Sequence, residues 1–390
     1  MRRRVAVVTV GRSDYGIYFP VLRFLQNDER IDLRLIVAAA HLDARHGNTV
    51  TEIESDGFPI AARVPMTRKG DTGAEIAATL GSGVQEFSAA YAQVKPDIAL
   101  LLGDRYEMFA AAIAALPVKL PLAHIHGGEL TLGAIDDAIR HSITKLSHIH
   151  FAATPEYARR ILQLGEEPWR VHVTGSPVID SILYSEPIPR AALEAEIGLP
   201  LSRTLLVTYH PPTLEGNQAE TVSNLLKALE ASGHDLLFTG SNADARSAEL
   251  MQSIERFVER TANARLISNL GHRKYHSVQR YVAAMVGNSS SGIVEAASFL
   301  LPVVNIGTRQ AGRLRGANII DVGNSEPEIA KGIVRALSPE FRESLAELEN
   351  PYGDGKAAER IVSLLKSTET SETLLLKKFV DYSLELKADG

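Results

Sequence analysis

Apolar positions in this chain fall into short runs separated by longer stretches of helical spacing. In the first half the runs cover residues 5–10, 33–40, 97–103, 120–126, 148–153 and 171–174. Their near-continuous hydrophobicity is the pattern of strands buried on both faces of a parallel sheet. Between them, near 16–28, 73–94, 105–116, 136–146 and 155–164, the spacing predicts helices. The alternation pauses over 183–203, where Pro187, Pro189 and Pro200 surround a short helical piece. It resumes with runs at 204–209, 235–239, 264–267, 283–287, 302–306 and 318–322. Strand and helix alternating in this way build doubly wound sheets. The expected fold class is therefore α/β, two Rossmann-like domains facing each other across a cleft. The N-terminal domain is drawn over 1–182, a linker over 183–203, the C-terminal domain over 204–365 and a helical tail over 366–390.

Composition narrows the function. The 390 residues are 45% hydrophobic and 23% charged, the balance of an ordinary soluble enzyme of two or three domains. Lys and Arg number 41 against 47 Asp and Glu, a formal charge of -6 that argues against nucleic acid as the main partner. Cysteine is absent, which excludes disulfide frameworks, thiolate zinc sites and cysteine nucleophiles and fits a cytoplasmic address. No apolar run approaches the roughly 20 residues of a membrane helix. The basic start before Val5–Val10 imitates a signal peptide, but the apolar stretch is short and Gly11-Arg12-Ser13-Asp14 interrupts it.

In doubly wound sheets ligands bind beyond the carboxyl ends of the strands. Those ends carry Gly11-Arg12-Ser13-Asp14, Gly103-Asp104-Arg105-Tyr106-Glu107 and His126-Gly127-Gly128-Glu129, with Asp136, Asp137, Arg140 and His141 further on. In the second half they carry His210, Gly240-Ser241-Asn242, Asn288-Ser289-Ser290-Ser291-Gly292 and Thr308-Arg309-Gln310. Turns and caps account for the glycines and part of the polar residues. They do not account for carboxylates gathered in the first half and hydroxyls with arginine in the second. The serine run at the start of a helix reads as an anion site suited to a diphosphate, or as plain capping by one serine. Glu295 reads as a partner for ribose hydroxyls or as a first-turn acid. Arg309 reads as a bidentate grip on phosphate. Gly11 to Gly16 lacks the Gly-Lys-Ser/Thr of a nucleotide phosphate loop, and no G-x-G-x-x-G follows the first strand, so NAD is not expected. His124 and His126, like His148 and His150, share a strand face, but neutral imidazoles bonded to carbonyls suit these apolar strands better than a metal. His126 is placed near the chemistry, and Trp169 in packing.

These stretches together resemble the UDP-N-acetylglucosamine 2-epimerases, particularly their hydrolysing branch. The resemblance runs in order over residues 5–325, through Thr9–Gly16, Gly103–Glu107, His124–Glu129, Gly133–Lys145, Gly165-Glu166, Gly175–Asp180, Tyr209-His210, Gly287–Gly292 and Gly307–Gln310. The non-hydrolysing branch has Glu-Ala-Gly-Leu-Arg where this chain has the His-Gly-Gly-Glu of 126–129. The resemblance implies a fold like the GT-B nucleotide-sugar glycosyltransferases, a cytoplasmic homodimer or homotetramer, and neither metal nor nicotinamide cofactor. Carried over by position, Asp104, Glu129, Asp136 and His126 match the acid/base groups. Arg12, Arg105, His210, Ser289, Ser290, Glu295 and Arg309 match nucleotide and diphosphate contacts, and Asn242 joins them as a strand-end binding candidate.

The implied reaction is anti elimination of the nucleoside diphosphate, then water addition with inversion at C2. UDP-N-acetylglucosamine is the expected substrate, with UDP- or GDP-2,4-diacetamido-2,4,6-trideoxyglucose as the alternative. A glycosyltransferase of the same fold and a non-catalytic nucleotide-sugar sensor are the competing readings. The several acids near one cleft and the Gly127-Gly128-Glu129 motif speak against both.

Overall fold

The first apolar run becomes the strand Arg3–Thr9 (β1), its last five residues fully buried. The computed structural model describes residues 2–44, 47–67, 70, 72–131, 135–210, 218–240 and 247–381. Two units divide the chain: Met1–Glu129 with Ile135–Ser181 and Gly353–Gly390, and Leu130–Ala134 with Ile182–Tyr352.

In the first unit β1 is followed by Arg12–Asn27 (α1), Ile31–Ala38 (β2), Val50–Ser55 (α2), Ile60–Val64 (β3) and Gly73–Val94 (α3). Ile98–Leu102 (β4), Tyr106–Ala115 (α4), Leu122–Ile125 (β5), Ile135–Leu146 (α5) and Ile149–Ala152 (β6) come next. Pro155–Gln163 (α6), Val171–Val173 (β7) and Pro177–Tyr184 (α7) complete the series. The strands are parallel in the order β3-β2-β1-β4-β5-β6-β7. Alternate residues of β1 feed two cores, Val5 and Val7 on one face, Ala6 and Val8 on the other. The chain direction of the winding reverses between β1 and β4, so their loops open at the switch point where such sheets hold ligands.

In the second unit Arg190–Ile197 (α8) precedes Thr204–Thr208 (β8), Gln218–Ala231 (α9), Asp235–Thr239 (β9), Ser247–Arg260 (α10) and Ala264–Ile267 (β10). Gly271–Tyr281 (α11), Ala284–Gly287 (β11), Ser290–Val294 (α12), Val303–Ile306 (β12), Ile319–Val322 (β13), Glu326–Leu337 (α13) and Pro339–Glu343 (α14) follow. This sheet is also parallel, in the order β10-β9-β8-β11-β12-β13. Its switch point lies between β8 and β11. No described helix is long and apolar enough to cross a membrane.

Four features differ from the sequence expectation. Strand β3 went unread because it is an edge strand: only Val64 of its five residues is buried, so no apolar run marks it. The segment drawn as a linker contains α8, whose Leu193 and Ile197 enter the core of the second unit. Helix Ala357–Ser367 (α15) was assigned to the C-terminal domain through 365, yet Ala358, Ile361, Val362 and Leu365 pack with Tyr18 and Leu22 of α1. Its first turn is capped by Asp180, whose carboxylate accepts the backbone N–H of Ala357 and Ala358 at 3.1 and 2.8 Å. The tail over 366–390 is expected to be helical, but among its described residues, which end at 381, the one helix beyond α15 is the single turn Glu372–Leu375 (α16). Arg170, 1% exposed, donates to the carbonyls of Leu374 and Leu376 at 2.8 and 3.1 Å, which satisfies them in residues 372–381, the C-terminal strap.

Candidate active site

In the first unit the switch-point loops bring the carboxylates together around one guanidinium. Arg140, on α5 and 2% exposed, donates to the Glu129 carbonyl at 2.9 Å, to Asp137 at 3.3 Å and to Asp104. Asp104 follows β4, Glu129 follows β5, and Asp136 and Asp137 open α5. Burial, followed by the charge of Asp104, pushes the Asp136 carboxyl above the usual range. Arg105 grips Glu107 through two bonds of 3.1 and 3.0 Å, and Glu107 is buried. Arg12 is exposed on α1, 3.8 Å from Glu52.

The loop carrying Glu129 has demanding geometry. His126 has φ +65°, and the position of a Cβ on Gly128, at φ +78°, falls 2.3 Å from the Tyr157 carbonyl oxygen. Only glycine fits there. His126 Nδ1 lies 3.7 Å from Glu129 Oε1. The other strand histidines are structural. His124 Nε2 donates to the Gly103 carbonyl at 2.8 Å, and burial drives its imidazole down to about 3. His148 Nδ1 accepts the Leu122 N–H at 3.1 Å. Among the described residues no three His, Asp or Glu side chains gather as a metal-ligand set. Trp169 is not a packing residue in the sense expected: it is 49% exposed, its ring 4.1 Å from the Arg170 guanidinium carbon.

Asp14 lies in the turn after β1, in the first turn of α1. It is 4% exposed and accepts the Val10 and Gly11 N–H at 2.8 Å each and the Thr9 hydroxyl at 2.9 Å. The Thr9 proton being so used, His41 Nε2 donates to Thr9 at 2.9 Å and its Nδ1 accepts the Thr49 hydroxyl at 2.7 Å. This buried chain shapes the turn after β1. A first-turn acid right behind a strand-end glycine was its only trace in the sequence.

In the second unit Asn288 is the hub. Its amide and the His210 backbone exchange two bonds of 2.7 and 2.8 Å, tying the loops after β8 and β11. The Asn288 carbonyl accepts from Arg309 at 3.0 Å and from Gln310 at 2.8 Å. Burial and the Arg309 charge lower the His210 imidazole to about 4. Ser289 lies 2.9 Å from the Ser291 hydroxyl, itself 2.7 Å from the Tyr275 hydroxyl, while Ser290 is exposed. Helix α12 holds only five residues, so its dipole is small and hydroxyls and N–H groups dominate this corner. Glu295 is no first-turn acid: it caps the C-terminal end of α12. Its Oε2 accepts from Gln279 at 2.9 Å and lies 3.4 Å from His276. Asn242 lies outside the described residues. Asn288 and Gln310 stand in the quoted motifs, but only the fold shows their backbone-directed bonds, while Tyr275 lies in no quoted motif.

Two parallel Rossmann-like sheets, each with its polar residues gathered after the central strands, define a GT-B-like enzyme fold. The chain belongs to the UDP-N-acetylglucosamine 2-epimerase family, whose model matches residues 23–366. It is 37% identical, over 97% of its length and 99% of the relative's, to the GDP/UDP-N,N'-diacetylbacillosamine 2-epimerase (hydrolyzing) of Campylobacter jejuni. It is 36% identical, over 97% of its length and 99% of the relative's, to the UDP-N,N'-diacetylbacillosamine 2-epimerase (hydrolyzing) of Legionella pneumophila. The crystal structure of the Neisseria meningitidis UDP-GlcNAc 2-epimerase bound to UDP-GlcNAc shares the fold, with TM-score 0.82 and 21% identity over 94% of this chain and 100% of that one.

Proposed function

We propose that this chain is a hydrolysing 2-epimerase acting on a nucleotide-linked N,N'-diacetylbacillosamine, releasing the 2-epimeric sugar and the nucleoside diphosphate. The observation that carries the reading is the acid cluster of Asp104, Glu129 and Asp136 set around buried Arg140, in a chain whose curated relatives at 37 and 36% identity bear that activity.

The roles divide by unit. The C2 proton of an acetamido sugar is a poor acid, so departure of the diphosphate leads and builds positive charge at C1. Arg309, His210, Ser289 and Ser290 of the second unit take the leaving diphosphate. Glu295 is left to the ribose, through its remaining oxygen. The carboxylates of the first unit stabilise the cationic sugar and move protons. Asp136, whose proton affinity is raised by burial and by Asp104, is suited to hold a proton, while the Arg140 guanidinium orients the Asp104 carboxylate and holds the Glu129 backbone carbonyl. Water then adds across the glucal with inversion at C2. The chemistry needs no bound cofactor.

The purified protein is to be assayed against UDP-N-acetylglucosamine and against the UDP- and GDP-linked diacetamido sugars. Turnover of a diacetamido donor, with deuterium at C2 of the product formed in D₂O, is the expected result. Preference for UDP-N-acetylglucosamine would move the substrate to that sugar. Product without C2 deuterium would remove the elimination route.

A further inference from the structure

Ser176 belongs to the stretch Gly175-Ser176-Pro177-Val178-Ile179-Asp180, whose serine has no part in the roles above. Its local setting occurs twice in the first unit. Thr154-Pro155 opens α6 and Ser176-Pro177 opens α7, each just past a strand of the same sheet. Thr154 does what a hydroxyl before a helix ordinarily does, accepting the Tyr157 backbone N–H at 3.3 Å. At α7 the turn closes through the backbone alone, Ile179 N–H to Ser176 carbonyl at 3.0 Å. The Ser176 hydroxyl turns away and sits 2.9 Å from His126 Nε2.

Two other features converge on the same ring. His126 is held at φ +65°, a region that a non-glycine residue enters when its surroundings impose it, and its backbone N–H is tied to the Phe151 carbonyl at 3.2 Å. Its second nitrogen, Nδ1, faces Glu129 Oε1 at 3.7 Å. Ser176 is 1% exposed, so water does not compete for its bond. The bond made at one imidazole nitrogen sets which nitrogen carries the proton.

We propose that Ser176 is a positioning residue for the reaction: donating to His126 Nε2, it fixes the ring plane and tautomer so that Nδ1–H faces the Glu129 carboxylate. This rests on the acid/base role given to Glu129 above. The hydroxyl left uncommitted to its own helix is thereby explained, as is the strained backbone of His126. Orientation of the carboxylate follows from a chain Ser176–His126–Glu129 in which only the last member handles the substrate's proton.

Ser176→Ala and Ser176→Thr test it, read by nitrogen-15 resonances of the His126 ring and by steady-state kinetics. Wild type and Ser176→Thr should show one tautomer, protonated at Nδ1, and Ser176→Ala a mixture. Ser176→Ala should lower kcat roughly 10-fold with KM unchanged, as loss of an orienting partner does, and the threonine should restore it. Unchanged ring resonances and kcat in Ser176→Ala, or a lower melting temperature as its only effect, would overturn the proposal. If Ser176→Ala does not fold, the ring resonances of wild type and Ser176→Thr decide: protonation at Nε2 overturns the proposal and protonation at Nδ1 supports it. Should the wild type turn over no nucleotide sugar, the functional reading fails by itself, and the ring resonances still decide the Ser176 link.

Discussion

At the scale of single residues, the carboxylates separate from ordinary caps by what they touch. Asp104 is bound to the buried Arg140 guanidinium, and Glu129 is 6% exposed. A capping aspartate replaced by Asn keeps most of its effect, whereas a catalytic one loses proton transfer and charge stabilisation. Asp104→Asn and Glu129→Gln should therefore fold, keep their Kd for UDP and lose at least about 10²-fold in kcat. Near-normal turnover in both would take them out of the site. Gly128→Ala should cost about 2–5 kcal/mol in chemical denaturation, because a left-handed alanine and a clash with the Tyr157 carbonyl add. In the second unit Arg309→Ala should weaken UDP binding by about 1.5–3 kcal/mol, the worth of a charged contact. An unchanged Kd by calorimetry would separate Arg309 from the diphosphate.

Among elements, α5 and the C-terminal strap are coupled through buried charge. Helix α5 carries Asp136 and Arg140 in its first turns, and Lys145 near its end bonds Glu166 at 2.6 Å. Glu166 is fully buried and also receives Lys377 of the strap at 2.7 Å and His150 at 3.0 Å. Lys377 reaches the carbonyls of Lys145 and Ser147 at 2.8 and 2.6 Å as well, placing a cation at the negative end of α5. Lys377→Met leaves those carbonyls and one carboxylate oxygen with a partner fewer. It should lower the stability of the first unit by about 1–3 kcal/mol and speed amide exchange over residues 372–380. Exchange unchanged in that segment would show the strap to be held by its other contacts, those of Arg170, Glu167 and the Gly165 carbonyl among them.

For the whole molecule, pH dependence follows from buried histidines that must stay neutral. Burial lowers His41, His148 and His210 to about 4 and His124 to about 3. A group depressed on folding contributes stability that is complete above its unfolded value, about 6.5 here, and lost as pH falls through its folded one. Asp14 works in the opposite sense: burial raises it to about 6, so its contribution fades as pH rises from about 4. Asp136 and Asp180 are raised in the same sense as Asp14, and with the four depressed imidazoles outnumbering these three carboxyls the melting temperature should fall between about pH 6.5 and pH 4. A rise on acidification across that window would refute the assignment of neutral imidazoles. By itself the sequence determined the two parallel α/β sheets and the strand-end loops, because buried parallel strands are uniformly apolar and ligands gather at their carboxyl ends. Asp104, Glu129 and His126 stood out in it as polar residues close behind such strands, while their proposed acid/base roles, and that of Asp136, came from the family resemblance. Edge strand β3, the return of α15 to the first unit and the strap on Arg170 were decided only by tertiary structure. So were Arg140 as the shared partner of the acids and Ser176 as the partner of His126. Each of these depends on contacts between residues far apart in the chain, and local periodicity carries no information about which distant surface a half-buried segment will meet.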